Sequence, residues 1–335
     1  MSDHEVVRVV AAPDKLRGTA TAADAAAAIC RAAAKAGWDG DAVPVADGGE
    51  GTLDVLGGPN RESTVTGPLG DPVVAGWRYG KTAVIEMARA SGLTVAGGPD
   101  ANDAVAATTM GTGELINAAV DAGCRRVIVC VGGSATTDGG LGALRAVEPV
   151  ARLRGVDLVV ACDVLTTFVD AAPLFAAQKG ASPSQVELLR RRLERLAQVY
   201  EREYGVDVRV LPGSGAAGGL AGGLACAGAR LVPGFDLVAD ELDLAETIEG
   251  ADLVVTAEGF LDEQSFEGKV VGGICELAAA DGIPVLAVVG EVLDGVRLPG
   301  GLEVISLVER YGPDRAHHDT LRCIEEAVAD HLARA

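Results

Sequence analysis

Short, continuously apolar runs that end in glycine-rich turns and then pass into helix-like stretches recur along this chain, and they fix the class of fold it can adopt. VVRVVAA (6–12) is the first. A run without polar alternation is a strand covered on both faces, as in a parallel sheet flanked by helices. Five turns share this design: PDKLRGT (13–19), DGGEGT (47–52), GGSATTDGG (132–140), PGSGAAGG (212–219) and AEGFLDEQSFEGK (257–269). In open parallel sheets such turns converge at the carboxyl ends of the strands, where ligands bind. Glycines let backbone N–H groups approach an anion, and a following helix N-terminus adds positive potential. Tight β-α turns also need glycine for conformation alone. One turn therefore means little; five point to a polar site.

The rhythm gives the organisation. Thr21, with Asp24 three residues on, opens an Ala-rich helix that stops at Gly37. DAVPVA (41–46) reads as a second strand, followed by DGGEGT and a short helix. From about residue 63 the texture changes. STVTG, PVVAGWRYG and KTAVIEMA are strand-like pieces separated by tight turns, closer to antiparallel hairpins than to β-α units. Further strands are RRVIVCVGG (125–133) and VDLVVACDV (156–164), with a helix over 111–123. Ser182, Pro183 and Gln185 mark a helix start whose Val186, Leu189, Leu193 and Leu196 share one face. Arg190, Arg191 and Arg192 lie on its flanks and outer side, a solvated face rather than a binding patch. The β-α rhythm returns from 251 and closes with a helix over 320–333. The pattern predicts an open α/β domain formed by both ends of the chain, 1–62 and 240–335, with a different α/β domain inserted at 63–239.

The length, 335 residues, fits two domains at about 150 residues each. Net charge is −20, which argues against a nucleic-acid or anionic-membrane surface. The N-terminus lacks a signal-peptide pattern, no apolar run reaches the length of a membrane span, and the cysteines are scattered, with no C-x-x-C. These features predict a reduced, cytoplasmic, soluble protein. The histidines, at 4, 317, 318 and 331, all lie near the termini, which disfavours His-based catalysis or a His-rich zinc site.

Lysine is scarce: five Lys stand against 23 Arg. Three of the five, Lys15, Lys179 and Lys269, fall in polar glycine-bearing segments, where a compact ammonium can act as a point charge on phosphate. The alternative is three solvated loop lysines. Asp14, Asp47, Glu50, Asp138, Asp163, Glu258 and Asp262 sit at strand ends or in glycine turns. There they can hold Mg²⁺ through one or two carboxylates plus phosphate oxygens, or act as a base toward a hydroxyl. Capping of helix N-termini is the competing role, expected for at least two of them. Ser134 and Ser214 follow glycines but lack a nearby histidine, which disfavours nucleophilic catalysis. No Walker-type loop occurs, and GSGAAGG (213–219) is a weak match to a dinucleotide fingerprint. A reaction that needs positioning, Mg²⁺ and cations remains: phosphoryl transfer.

In order along the chain, APDKLRGT, PVADGGEGT, AVIEMARASGL, TTMGTGELINAAVDAG, VGGSATTDGG, AQKGA, GSGAAGGL and AEGFLDEQS-x-x-GK together resemble the glycerate kinase family that includes the bacterial glycerate 2-kinases. The resemblance spans about residues 8–290. It implies a flavodoxin-like domain with an inserted second α/β domain and the site in the cleft between them. It also implies ATP-dependent phosphorylation of D-glycerate with Mg²⁺, 2-phosphoglycerate being the favoured product. The partners implied are small molecules, ATP and a hydroxy acid, with a homodimer as the assembly it allows for. Carried onto these residues, it makes Asp47, Asp138, Glu258 and Lys269 the catalytic candidates, with Asp138 and Glu258 also the metal candidates. Substrate and phosphate binding would fall to Asp14, Lys15, Arg17, Gly48, Gly49, Glu50, Gly132, Gly133, Ser134, Lys179, Gly213, Ser214, Gly215 and Asp262.

The chain departs from the family pattern in five places. The family's first loop, DSFKGS, has Lys15 and Arg17 at its Ser and Lys positions. GGSATNDGG carries Thr137 in place of Asn. The Asn-Pro-Leu segment after ACDV is missing, and the stretch between GGLGALRAV and VDLVVACDV is shortened by tens of residues. GEGRLD becomes AEGFLD, with Phe260 replacing a cation. These departures keep two alternatives open: a kinase for another small hydroxy acid, and a non-catalytic ligand-binding homologue.

Overall fold

The computed structural model describes residues 7–16, 18–293 and 295–334. Among them the strands are, in chain order, β1 (Arg8–Ala11), β2 (Asp39–Ala42), β3 (Arg61–Thr66), β4 (Pro72–Trp77), β5 (Thr82–Glu86), β6 (Arg126–Cys130), β7 (Asp157–Cys162), β8 (Arg230–Pro233), β9 (Leu253–Leu261), β10 (Val285–Val292) and β11 (Leu302–Ser306). The chain divides into two compact units, Met1–Asp47 with Phe235–Ala335, and Gly48–Gly234. No helix among the described residues is long and apolar enough to cross a membrane.

The first unit holds a five-stranded, wholly parallel sheet in the order β11-β10-β9-β1-β2. Renumbered within the unit this is 2-1-3-4-5, the flavodoxin-like order, whose switch point lies between β1 and β9. Val9, Val10 and Ala11 of β1 are fully buried, as an apolar strand covered on both faces requires. The helix Ala22–Ala36 begins at Thr21, whose hydroxyl accepts from the Asp24 N–H, and ends at Gly37 in a left-handed conformation. Its alanines form a narrow buried face that packs on the closing helix, Thr320–Leu332. The second strand begins earlier than the apolar pattern suggests, at Asp39. Hydrogen bonds from Val43 N to Ala11 O (2.9 Å) and from Val45 N to Pro13 O (3.0 Å) carry its pairing into the VPV segment.

The second unit holds a parallel four-stranded sheet, β5-β6-β7-β8, and an antiparallel pair, β3-β4. Here the hairpin expectation needs correcting. STVTG and PVVAGW do form an antiparallel pair, but the third piece heads the parallel sheet. Ala83 and Ile85 are fully buried and Val84 nearly so, and a strand covered on both faces belongs in a parallel sheet rather than on a hairpin edge. A second correction concerns PGSGAAGG. No strand precedes it; the chain reaches it from the helix Pro183–Tyr204 through an irregular segment. That long helix carries the full capping box, Ser182 with Gln185, and buries Leu189 and Leu193. Arg190 pairs with Glu187 and Glu194 along its surface.

Candidate active site

In the first unit, acids and lysines gather where the switch point falls. Asp14 N donates to Ala257 O (2.9 Å), which fixes the turn after β1 against the middle of β9, one residue before Glu258. The Lys15 ammonium lies 3.7 Å from Asp14 Oδ1 and 3.8 Å from Asp47 Oδ1. Glu258 sits within β9, paired with Val289, and is only 9% exposed. Its Oε1 is buried without a hydrogen-bond partner. Burial pushes the carboxyl up to about 7; a Ser265 hydrogen bond and the Lys269 charge oppose this, while Asp14 and Asp262 add to it. Asp262 and Ser265 cap each other, through Ser265 N to Asp262 Oδ1 (2.9 Å) and Asp262 N to Ser265 Oγ (3.1 Å). That turn delivers Lys269 to the N-terminus of the helix Val270–Asp281. Asp14, Lys15, Asp47, Glu258, Asp262 and Lys269 are thus brought to one end of this sheet. Arg17, expected among them, lies outside the described residues.

In the second unit two glycine turns meet. A Cβ on Gly132 would stand 2.9 Å from Gly49 Cα, and one on Gly133 3.3 Å from Glu50 Oε2, so only glycine allows this approach. Gly48 is buried against the Gly234 backbone. The DGGEGT turn is held by Glu86, at the end of β5, whose Oε1 accepts from Gly51 N (2.6 Å) and Leu53 N (3.1 Å). Its Oε2 accepts from Arg89 Nε (3.0 Å), and Arg89 in turn forks onto both Asp54 oxygens (2.9 Å each). Neither Glu86 nor Arg89 stood among the candidates, although both lie in AVIEMARAS, at a spacing that places an acid one helical turn from a cation.

The remaining candidates have internal duties. Lys179 is 3% exposed and donates to Ser134 Oγ and to Thr136 O, both at 2.7 Å. Burial lowers its pKa to about 7, against the opposing pull of Asp138. Asn102, also unsignalled, joins the same loop to Lys179 by donating to the carbonyls of Ala135 (3.0 Å) and Lys179 (2.8 Å). Asp138 Oδ2 accepts from Thr109 N (2.9 Å), Thr109 Oγ1 (2.8 Å) and Gly142 N (3.1 Å), and Oδ1 accepts from Gly140 N (3.0 Å). It ties together the starts of the helices Met110–Asp121 and Leu141–Val147, the capping role anticipated for some of these acids. Ser214 is fully buried and donates to Val208 O (2.7 Å); Gly215 N donates to Thr166 O (2.9 Å), and Gly213 O faces the Cys162 thiol. Gly218, at φ +68°, presses on the Thr136 carbonyl so closely that any Cβ would collide with it. The glycines of GSGAAGG thus serve backbone packing.

An open parallel sheet with carboxylates and lysines gathered at its switch point defines a class: an α/β protein with the place where such folds bind ligands. The model of the glycerate kinase family matches residues 9–150 and 147–334, the two segments meeting where the sequence reads as shortened. The chain is 38% identical over 327 residues to the glycerate kinase of Bacillus subtilis strain 168, covering 85% of each chain. It is 37% identical over 333 residues to the glycerate 2-kinase of Escherichia coli strain K12, covering 87% of each. A crystal structure from Salmonella typhimurium LT2, assigned as glycerate kinase 2, superposes with a TM-score of 0.80 at 31% identity over 98% of both chains. The chain belongs to the glycerate kinase family and is a kinase.

Proposed function

We propose that this protein phosphorylates D-glycerate with ATP and Mg²⁺ in the cytoplasm, giving 2-phosphoglycerate. The observation that carries the reading is Glu258: a buried carboxyl with an unpartnered oxygen, its pKa raised to about 7, beside the Asp14, Lys15 and Lys269 turns. A base poised near neutral pH is what removal of a proton from a substrate hydroxyl requires. Lys15 and Lys269 supply compact positive charge to phosphate oxygens, and the relatives named above supply the substrate.

The residues fit Mg²⁺. The cluster offers hard carboxylate oxygens, Glu258 Oε1 among them without a partner. Among the described residues no group of three or more His, Cys, Asp or Glu is arranged to hold a metal. With Glu258 acting as the base, the ion would be held by one or two neighbouring carboxylates, Asp14 or Asp262, together with the nucleotide's phosphates. Bound there, Mg²⁺ would offset phosphate charge during transfer. Asp138 is less suited to metal, since four donors already occupy its two oxygens. In the second unit, the turns around Gly48 and Gly132–Ser134, which approach each other closely, are the segments that would hold anionic substrate groups. The reading is tested by Glu258→Gln: turnover of D-glycerate should fall by about two orders of magnitude or more, with the fold retained. Undiminished turnover would remove Glu258 from the reaction.

A further inference from the structure

The first unit contains a cavity of about 340 Å³, lined in part by residues next in the chain to members of the acid–lysine cluster. Its lining begins where the cluster ends: Leu16 follows Lys15, and Gly259 and Phe260 follow Glu258. Val308, Ala316, His317 and His318 also line it, and so do two acids, Glu291 and Asp314. Phe260 is 59% exposed although aromatic residues make up only 3% of the chain. It is not on a loose loop: it lies within β9 and is paired with Glu291 of β10, so the ring is carried on a rigid strand.

We infer that this cavity receives the purine base of the nucleotide, with Phe260 as the stacking surface. A nucleoside triphosphate is a flat aromatic body joined to a strongly charged tail; the cavity offers the exposed Phe260 ring together with two acids, Glu291 and Asp314, that can accept from a base's amino group, and the lysines of the cluster offer charge to the tail. A three-carbon hydroxy acid is polar throughout and far smaller than the cavity. The position also agrees with the rule that ligands in open α/β sheets lie outside the carboxyl ends of strands flanking the switch point. His317 and Thr19, both at the wall, supply polar atoms that can meet the edge of the base. Phe260 acts here as a binding and specificity-determining residue, in the position where the family pattern has a cation. The inference rests on the cluster's proposed role toward the phosphates.

The test is calorimetric titration of the full-length protein with ADP and with inorganic tripolyphosphate, which has the charge but no base. Phe260→Ala should weaken ADP binding about tenfold, the effect of losing one base-stacking contact, and leave tripolyphosphate binding and the KM for glycerate unchanged. Phe260→Tyr should restore ADP affinity to within about threefold, since it restores the ring. An ADP affinity that Phe260→Ala leaves unchanged, or a shift in the glycerate KM instead, overturns the base site. If the wild type turns glycerate over while that happens, only the base site falls. If the wild type neither binds ADP nor turns glycerate over, the proposed function falls with it.

Discussion

The Lys179 ammonium and the Ser134 hydroxyl are joined by a 2.7 Å hydrogen bond inside the second unit. A lysine drawn from a small set, in a segment suited to phosphate, thereby holds the backbone of the GGSATTDGG turn instead of facing solvent. Its second bond, to Thr136 O, fixes the same turn from within.

Lys179→Met should leave the Thr136 carbonyl and Ser134 hydroxyl short of a partner, at a cost of about 1–3 kcal/mol for each group left unpaired. The pH dependence is more specific. A lysine held near 7 instead of its ordinary 10.5 contributes stability that is present above the unfolded value and is lost as pH falls through 7. Urea unfolding from pH 6 to 10 should therefore show wild type gaining on the variant as pH rises. Parallel profiles would mean that the buried amine does not titrate with folding.

Glu258 runs in the opposite sense. Its carboxyl is raised from 4.5 to about 7, so its contribution is present below the unfolded value and lost as pH rises through 7. At pH 8, without nucleotide or metal, Glu258→Gln should be more stable than wild type by about 3 kcal/mol, and the advantage should vanish near pH 4. A variant that is both more stable and inactive is the signature of a functional group kept at a structural cost. Equal stability at both pH values would contradict the raised pKa.

Asp138 separates structure from chemistry. With four donors converging on its two oxygens, Asp138→Ala should destabilise the protein by about 3 kcal/mol, whereas Asp47→Asn should cost less than about 1 kcal/mol and lower turnover. Chemical denaturation of both variants beside the activity assay settles the division. A stable but inactive Asp138→Ala would return Asp138 to the reacting groups.

The parallel sheet of the first unit was legible because its strands, VVRVVAA and ADLVVTAEG among them, have no polar alternation, and the caps at Thr21 and Ser182 follow from local chemistry alone. The pairing of β5 was not legible: hairpin-like turns surround it, and only the burial of Ala83, Val84 and Ile85 decides its neighbour. Site residues showed the same split. Asp14, Lys15 and Lys269 announce themselves as charges in β-α turns, whereas Glu258, expected at the start of such a turn, lies within β9, which runs on to Leu261. The glycines and serine of GSGAAGG look identical in kind, yet Gly218 packs against the Thr136 carbonyl and Ser214 is buried on Val208 O, because composition does not reveal whether such a residue faces a ligand or the protein's own backbone. Glu86 was missed because its partners, Gly51 and Leu53, are 35 and 33 residues away.

Ala217 is a local test of that packing. It adopts φ 51°, ψ 42°, a left-handed conformation costly for a residue with a Cβ, between neighbours that are held in place. Ala217→Gly should raise stability by about 1 kcal/mol, read as a shift in the urea midpoint with an unchanged slope. A loss of stability would show that the alanine methyl contributes packing that outweighs the backbone strain.

The most direct measurement is ADP release by the purified protein with ATP and Mg²⁺ over a panel of small hydroxy acids, with the phosphorylated product identified by phosphorus NMR. D-glycerate should be turned over in preference to the others, depend on added Mg²⁺, and yield 2-phosphoglycerate. Absence of turnover on every acid of the panel, in a protein that still binds ADP, would contradict the assignment as a kinase for such acids and leave a ligand-binding member of the family.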